Sequence, residues 1–180
     1  MSETPQIPTL QTQRLILRAF RAQDFPAFEE MCADEELMRY VGGRMDRVDA
    51  WRRMAAYAGQ WALRGYGSFA LEETASGTFV GYCGIYDPAG WPEREIHWGL
   101  RRRYLGQGFI TEAARQVRDY AYVTLGFETI TSCIVMENTP SIAVAKRLGA
   151  VLDRTVDFRG RPMGVYRHLS PQALRTGGRA

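Results

Sequence analysis

The chain has 180 residues, 46% of them hydrophobic and 24% charged, with a formal net charge of +3. That length suits one domain with a sizeable core, and the composition is that of a globular protein. The mild positive charge fits an anionic ligand, but the chain lacks the interleaved basic and aromatic residues of a nucleic-acid-binding domain, so no nucleic-acid partner is expected. Its three cysteines, Cys32, Cys83 and Cys133, include no CxxC pair, and there are only two histidines. A disulfide framework and a zinc site are both disfavoured, and no metal is expected. No apolar run approaches the ~20 residues of a membrane span. The first residues lack the basic and apolar regions of a secretory signal, so a cytoplasmic protein with no membrane partner is expected.

Residues 1–8 read as a loose tail. Residues 14–20 hold branched and aromatic residues between charged ends and predict a first strand. Asp24 is placed to cap a helix to about Ala33, with Pro26 in its first turn. A second helix is predicted over residues 46–63, with Val48, Trp51, Ala55, Ala58 and Ala62 at three- and four-residue steps and Gly65 and Gly67 at its end. Residues 68–72 and 79–86 form a predicted hairpin around the turn chemistry of residues 74–77. Residues 87–92 read as a loop and residues 95–100 as a short strand.

The next helix carries Ile110, Ala113, Ala114, Val117 and Ala121 on one face and Glu112, Arg115, Arg118 and Asp119 on the other, with Gly126 closing it. Residues 129–135 predict a β-branched strand. Thr139 and Pro140 then open a helix containing Ile142, Ala145 and Leu148, which Gly149 ends. Residues 151–158 and 163–168 predict a final hairpin around Arg159, Gly160 and Arg161, and residues 171–180 read as a second tail. No repeat or linker divides residues 9–170. Residues 95–135 make a βαβ unit, whose two strands are expected to be parallel neighbours. The expected fold class is α+β, with a twisted, mixed but mostly antiparallel sheet of about seven strands flanked by about four helices.

The most informative motif is Arg103-x-x-Gly106-x-Gly108, set between that strand and the helix. Spaced glycines let the backbone approach a ligand and adopt positive φ. The first N–H groups of the helix have no internal partner, and the helix dipole favours an anion there. The pattern fits a phosphate cup, and it also fits an ordinary strand-to-helix turn. A Rossmann fingerprint is excluded because Thr111 stands where a third glycine is needed, and no Gly-Lys-Ser/Thr triplet exists for a P-loop.

The pattern resembles the GNAT superfamily of acetyl-CoA-dependent N-acetyltransferases, whose phosphate motif Arg103, Gly106 and Gly108 match. Within it the chain resembles the ribosomal-protein N-terminal acetyltransferase (RimJ/RimL-like) branch. The likeness is carried by residues 11–18, by residues 106–113, and by Asn138-x-x-Ser141 leading to Leu148-Gly149. The resemblance implies acetyl-CoA as co-substrate. Its pantetheine arm would pair with Trp98, Gly99 and Leu100, and its pyrophosphate would rest on N–H groups of Tyr104, Leu105, Gly106, Gln107, Gly108 and Phe109 with Arg103 beside it. Asn138 and Ser141 would lie near the reactive end. The implied activity is acetyl transfer to a primary amine by direct attack, the acceptor being a small amine or a protein N-terminus. A homodimer is compatible with the resemblance.

An amine attacks a thioester only when neutral. At pH 7 an α-amine of pKa 7.7–8.0 is neutral roughly a tenth of the time, and a lysine-type amine less than about a thousandth. Glu95 and His97 are the candidate bases, on one face of their strand by alternation. Each has a second reading: Glu95 as a solvated strand-edge carboxylate, His97 as a packing residue. His97 also departs from the glycine usual at that place in the branch. Ala145 stands where many such enzymes carry a tyrosine acid, which leaves the Ser141 hydroxyl as the proton donor, unless it bonds its own backbone. Trp51, Tyr57 and Trp61 read as core and acceptor-site wall. Asp34, Glu35 and Glu36 would attract a cationic amine or form a solvated helix end. A non-catalytic acyl-CoA-binding sensor or docking module is the alternative to an enzyme.

Overall fold

A computed structural model describes residues 6–176. Along the chain run β1 (Leu10–Gln11), β2 (Leu15–Arg18), α1 (Phe25–Ala33), α2 (Glu35–Met38), α3 (Arg47–Arg64), β3 (Ser68–Glu73), β4 (Thr78–Tyr86) and β5 (Glu95–Leu100). Then follow α4 (Phe109–Asp119), β6 (Thr131–Val135), α5 (Thr139–Arg147), β7 (Val151–Phe158), β8 (Arg161–Arg167) and α6 (Pro171–Arg175). The strands form one sheet in the order β1-β2-β3-β4-β5-β6-β8-β7. Its neighbours are antiparallel except β5 and β6, the parallel pair of the βαβ unit.

The sheet has eight strands where about seven were expected. The extra one, β1, is two residues long and pairs Leu10 with Leu17, too short for alternation to register in sequence. Two short helices, α2 and α6, raise the helix count above four. The helix α6 lies in the expected C-terminal tail, capped by the Ser170 hydroxyl on the Ala173 amide at 3.2 Å. In the expected N-terminal tail, Ile7 packs against the core. Residues 1–5 and 177–180 of those tails lie outside the described residues.

Alternation along the central strands builds two cores on opposite faces of the sheet. Phe69, Leu71, Cys83 and Ile85 point to one face, joined by Val80 through a bulge in β4 opposite Leu71 and Glu72, and α4 covers them with Phe109, Ile110, Ala113, Ala114 and Val117. Ala70, Phe79 and Tyr82 point to the other, under Phe25, Phe28 and Met31 of α1 and Ala50, Met54 and Tyr57 of α3. β5 lies where these layers and α5 converge, which is what positions the site.

Two local expectations are corrected. The buried stripe of α3 is Ala50, Met54, Tyr57 and Trp61, not the one through Val48 and Trp51, which are 56% and 50% exposed. Both stripes satisfy the helical period; the aromatic pair Tyr57 and Trp61 can fill the deep space against the sheet, so that stripe turns inward. Asp24 does not cap α1 with its side chain. Its carboxylate takes a bidentate bond from the buried Arg18 guanidinium, both at 2.8 Å; the Arg18 Nε already bonds Glu72 at 2.6 Å, and leaving its buried terminal nitrogens short of an acceptor would cost more than a missing cap.

Candidate active site

The site begins where β5 and β6 part. Their ladder holds only Glu95 opposite Thr131. One step on, the Ser132 hydroxyl donates to the Ile96 carbonyl at 2.7 Å. Beyond it the β6-facing edge of Trp98, Gly99 and Leu100 is left without a strand partner, while its other edge pairs with β4. Gly99 lies over the Tyr82 ring; a Cβ there would stand 2.6 Å from a ring carbon. The glycine thus lets β5 run flat across Tyr82.

A groove of about 800 Å³ runs from this split to the start of α4, lined by Trp98, Gly99, Leu100, Leu105, Gly106, Gly108 and Phe109 on one side and by Asn138, Ser141 and Val144 on the other. Gly106 and Gly108 have φ of 74° and 81°, the left-handed region that glycine enters without strain. Among the described residues, the amides of Gly106, Gln107 and Gly108 have no protein acceptor, and those of Phe109 and Ile110 are first-turn amides of α4. This is a row of N–H groups at a helix start, suited to a pyrophosphate. The row is shorter than the sequence implied. The Tyr104 and Leu105 amides are taken by the carbonyls of Arg101 and Arg102 at 2.9 and 3.2 Å. Arg103 and Gln107 do not line the groove: Arg103 lies over the Tyr104 ring, and the Gln107 side chain donates to the Arg103 carbonyl.

The second cavity, of about 340 Å³, holds Glu95, His97, Tyr57, Tyr82, Tyr86 and Cys133. Glu95 is buried, one carboxylate oxygen accepting from the Cys133 amide at 2.6 Å and the other from the Trp91 indole at 2.9 Å. It is therefore not a solvated edge residue. Burial pushes its carboxyl up to about 8, and the two hydrogen bonds only partly oppose that. His97 shares the face but not the character. Burial, with Arg53 nearby, pushes it down to about 3, so it stays neutral around pH 7 and has little proton affinity. Its Nε2 lies 2.6 Å from the Ser68 hydroxyl, its ring stacks on Tyr86 at 4.7 Å, and Tyr57 meets it edge-on at 4.9 Å.

The groove and the cavity share Tyr40, Val41, Tyr82, Trp98, Asn138 and Ser141 as wall residues. Asn138 caps α5, accepting from the Ser141 amide at 3.3 Å. The Ser141 hydroxyl makes no hydrogen bond among the described residues, so it does not bond its own backbone. Ala145 is fully buried. Asp34 and Glu36 are paired with Arg102 rather than facing the cavity.

One support was not foreseen. Glu112, in the first turn of α4, accepts from the Thr12 hydroxyl at 2.6 Å and from the amide and Nε of Arg14 at 2.8 and 2.7 Å. The Arg14 guanidinium also donates to the Gln107 carbonyl at 3.0 Å and covers the Phe109 ring. The glycine turn is thereby tied to the turn between β1 and β2, across 98 residues of sequence.

Residues 14–151 match the acetyltransferase (GNAT) domain family. The chain is 30% identical over 166 residues to the uncharacterised protein YkkB of Bacillus subtilis, covering 89% of this chain and 95% of that one. An acetyltransferase from Agrobacterium tumefaciens superposes with a TM-score of 0.84 at 33% identity, over 92% of this chain and 96% of that chain. RimL, a ribosomal L7/L12 α-N-protein acetyltransferase solved with coenzyme A, shares the fold at a TM-score of 0.74 and 15% identity, over 91% of this chain and 98% of that chain. With its phosphate-type turn, split parallel pair and matching domain, this chain belongs to the GNAT family and is an N-acetyltransferase.

Proposed function

We propose that this enzyme moves an acetyl group from acetyl-CoA directly to a neutral primary amine, with Glu95 as the base. The observation that supports the reading is the shared wall of groove and cavity: a thioester at the groove's inner end would face the chamber holding Glu95. Bound acetyl-CoA supplies an activated acyl carbon. Backbone amides from Gly106 to Ile110 would hold its phosphates, and the free edge of Trp98 to Leu100 would pair with its pantetheine arm. Glu95 takes the proton of the attacking amine. Its carboxyl, raised to about 8, is matched to an α-amine of pKa 7.7–8.0, so the transfer is nearly balanced. A polyamine or lysine side chain near 10.4 is matched far less well. As the amine nitrogen bonds the acyl carbon and the C–S bond breaks, Ser141 passes a proton from solvent to the leaving thiolate, and His97 acts as a neutral wall that orders Tyr86 and Ser68.

The test is release of free thiol from acetyl-CoA over a broad panel of amines and peptides, together with calorimetry of coenzyme A. Turnover with an α-amine is expected. Tight coenzyme A binding without turnover on any amine would favour the sensor reading, and no affinity for coenzyme A would overturn both.

A further inference from the structure

Four charged side chains line the cavity: Glu95, Arg53, Arg159 and Arg161. One acid thus faces three arginines, so the lining is predominantly cationic. Among the described residues none of the three makes an ion pair, although eleven other arginines do. Arg53 is half-buried and anchored through one guanidinium nitrogen on the Val41 carbonyl at 2.8 Å. A Cβ on Gly42 would stand 2.8 Å from its other terminal nitrogen, so the glycine makes room for the guanidinium.

Arg159 and Gly160 are the two-residue tip of the β7–β8 hairpin, with Phe158 paired to Arg161. Both tip residues have positive φ, 56° and 76°, as primed hairpin turns require. Asn, Asp or Gly normally takes the first of these places. Among the described residues Arg159 is the only non-glycine with positive φ. An arginine kept in that conformation at the cavity's mouth points to a use for its charge.

The aromatic wall does not compensate as a cage for a cation. One Tyr86 face is stacked on His97, one Phe158 face is covered by the Arg159 guanidinium, and Trp91 meets both Tyr86 and Phe158 edge-to-face. The carboxylates that a cationic acceptor would want, Asp34 and Glu36, are neutralised by Arg102.

We propose that the acceptor is a small primary amine that also carries a carboxylate or similar oxyanion, as an amino acid does, its anionic end held by Arg53, Arg159 and Arg161 and its amine facing Glu95. The cavity volume lies within the range of small-molecule sites. The inference rests on the acetyl-transfer reading above and narrows its acceptor. The same chemistry exists at the end of a peptide that begins with Asp or Glu, and the test separates the two sources.

The test compares free amino acids with their amides, their decarboxylated amines, spermidine, and peptides with acidic or neutral first residues, by thiol release and by calorimetry on protein saturated with coenzyme A. Arg159→Asn removes the charge with a residue that tolerates the turn, and Arg161→Gln and Arg53→Gln complete the set. Carboxylate-bearing amines are expected to give the highest kcat/KM, falling roughly ten- to a hundred-fold in the double variant Arg159→Asn/Arg161→Gln, with coenzyme A affinity unchanged. Preference for acidic peptides over free amino acids would keep the anionic end and move the source to a protein terminus. Amides or spermidine used as well as the amino acids, or variants that leave the ranking intact, would overturn the inference while the acetyl-transfer reading stands. Where no amine turns over, absence of calorimetric binding by every amino acid overturns it as well.

Discussion

The Glu95 carboxylate takes the Cys133 amide at 2.6 Å, the place in the ladder where a backbone carbonyl of β5 would otherwise serve. One side chain thus satisfies the first orphaned amide of the split and stands in the acceptor chamber. The carboxyl is fixed there without a counter-ion, and burial raises its pKa more than its two hydrogen bonds lower it.

Turnover is therefore expected to rise with pH along a limb near 8, and Glu95→Gln should remove the limb and lower kcat by roughly a hundred-fold, within the range of general-base contributions. The stability effect has the opposite sense. A carboxyl whose folded value is raised from 4.5 to about 8 contributes stability fully present below 4.5, which is lost as pH rises through 8. Between pH 6 and 8 the wild type should lose roughly 2–3 kcal/mol relative to Glu95→Gln, measured by denaturant unfolding. Parallel stability curves for the two proteins would show that Glu95 is not buried as a neutral acid.

Gly108 tests the phosphate cup. Its φ of 81° disfavours any side chain, and a Cβ there would meet the Arg14 guanidinium at an ordinary 3.5 Å, so space is not the limit. Gly108→Glu places a negative charge on the row of amides and should weaken coenzyme A by a hundred-fold or more, on the order of 3 kcal/mol. Gly108→Asn, neutral and tolerant of left-handed backbone, should stay within about ten-fold of wild type in calorimetry. Equal losses in both variants would assign the effect to backbone strain rather than to phosphate binding.

Local chemistry in the sequence was enough to place the longer elements and the glycine turn: Asp46 and Gly65 bound α3, and α5 opens on Asn138, one residue before the expected Thr139. What escaped were choices that depend on partners far along the chain. The stripe through Trp51 was as periodic as the one through Tyr57, and only the depth of the sheet decides between them. The Arg14–Glu112 pair spans 98 residues, and Arg53 meets Arg159 and Arg161 only as walls of a cavity that the folded sheet creates between distant segments. Glu95 and His97 were placed on one face by alternation, but their opposite roles follow from burial and bonding that no spacing encodes.

His97 is expected to leave the pH profile alone. With its pKa pushed to about 3, no limb near 6.5 should appear in the wild-type profile. His97→Ala removes the partner of a buried Ser68 hydroxyl and the ring stacked on Tyr86, so a stability loss of about 1–3 kcal/mol and a raised acceptor KM should follow. The limb near 8 should persist in that variant. Its disappearance there, with survival in Glu95→Gln, would exchange the two assignments.

The clamp from the β1–β2 turn makes the last prediction. Burial by itself raises the Glu112 carboxyl, but bonds from the Thr12 hydroxyl and from the amide and guanidinium of Arg14 outweigh it and hold the group below its ordinary value. A carboxyl lowered on folding contributes stability that is present above its unfolded pKa near 4.5 and lost as pH falls through the folded value. Glu112→Gln should therefore cost about 1–3 kcal/mol at pH 7, and the gap to wild type should close as pH drops below 4. Because the same arginine holds the Gln107 carbonyl at 3.0 Å, loosening the clamp frees the turn whose amides grip phosphate. Coenzyme A affinity should fall several-fold in Glu112→Gln and in Arg14→Gln, and no further in the double variant, since either change releases the same contact. Additive losses in that cycle would mean that Arg14 and Glu112 act on the cofactor independently, with Arg14 reaching the phosphate itself.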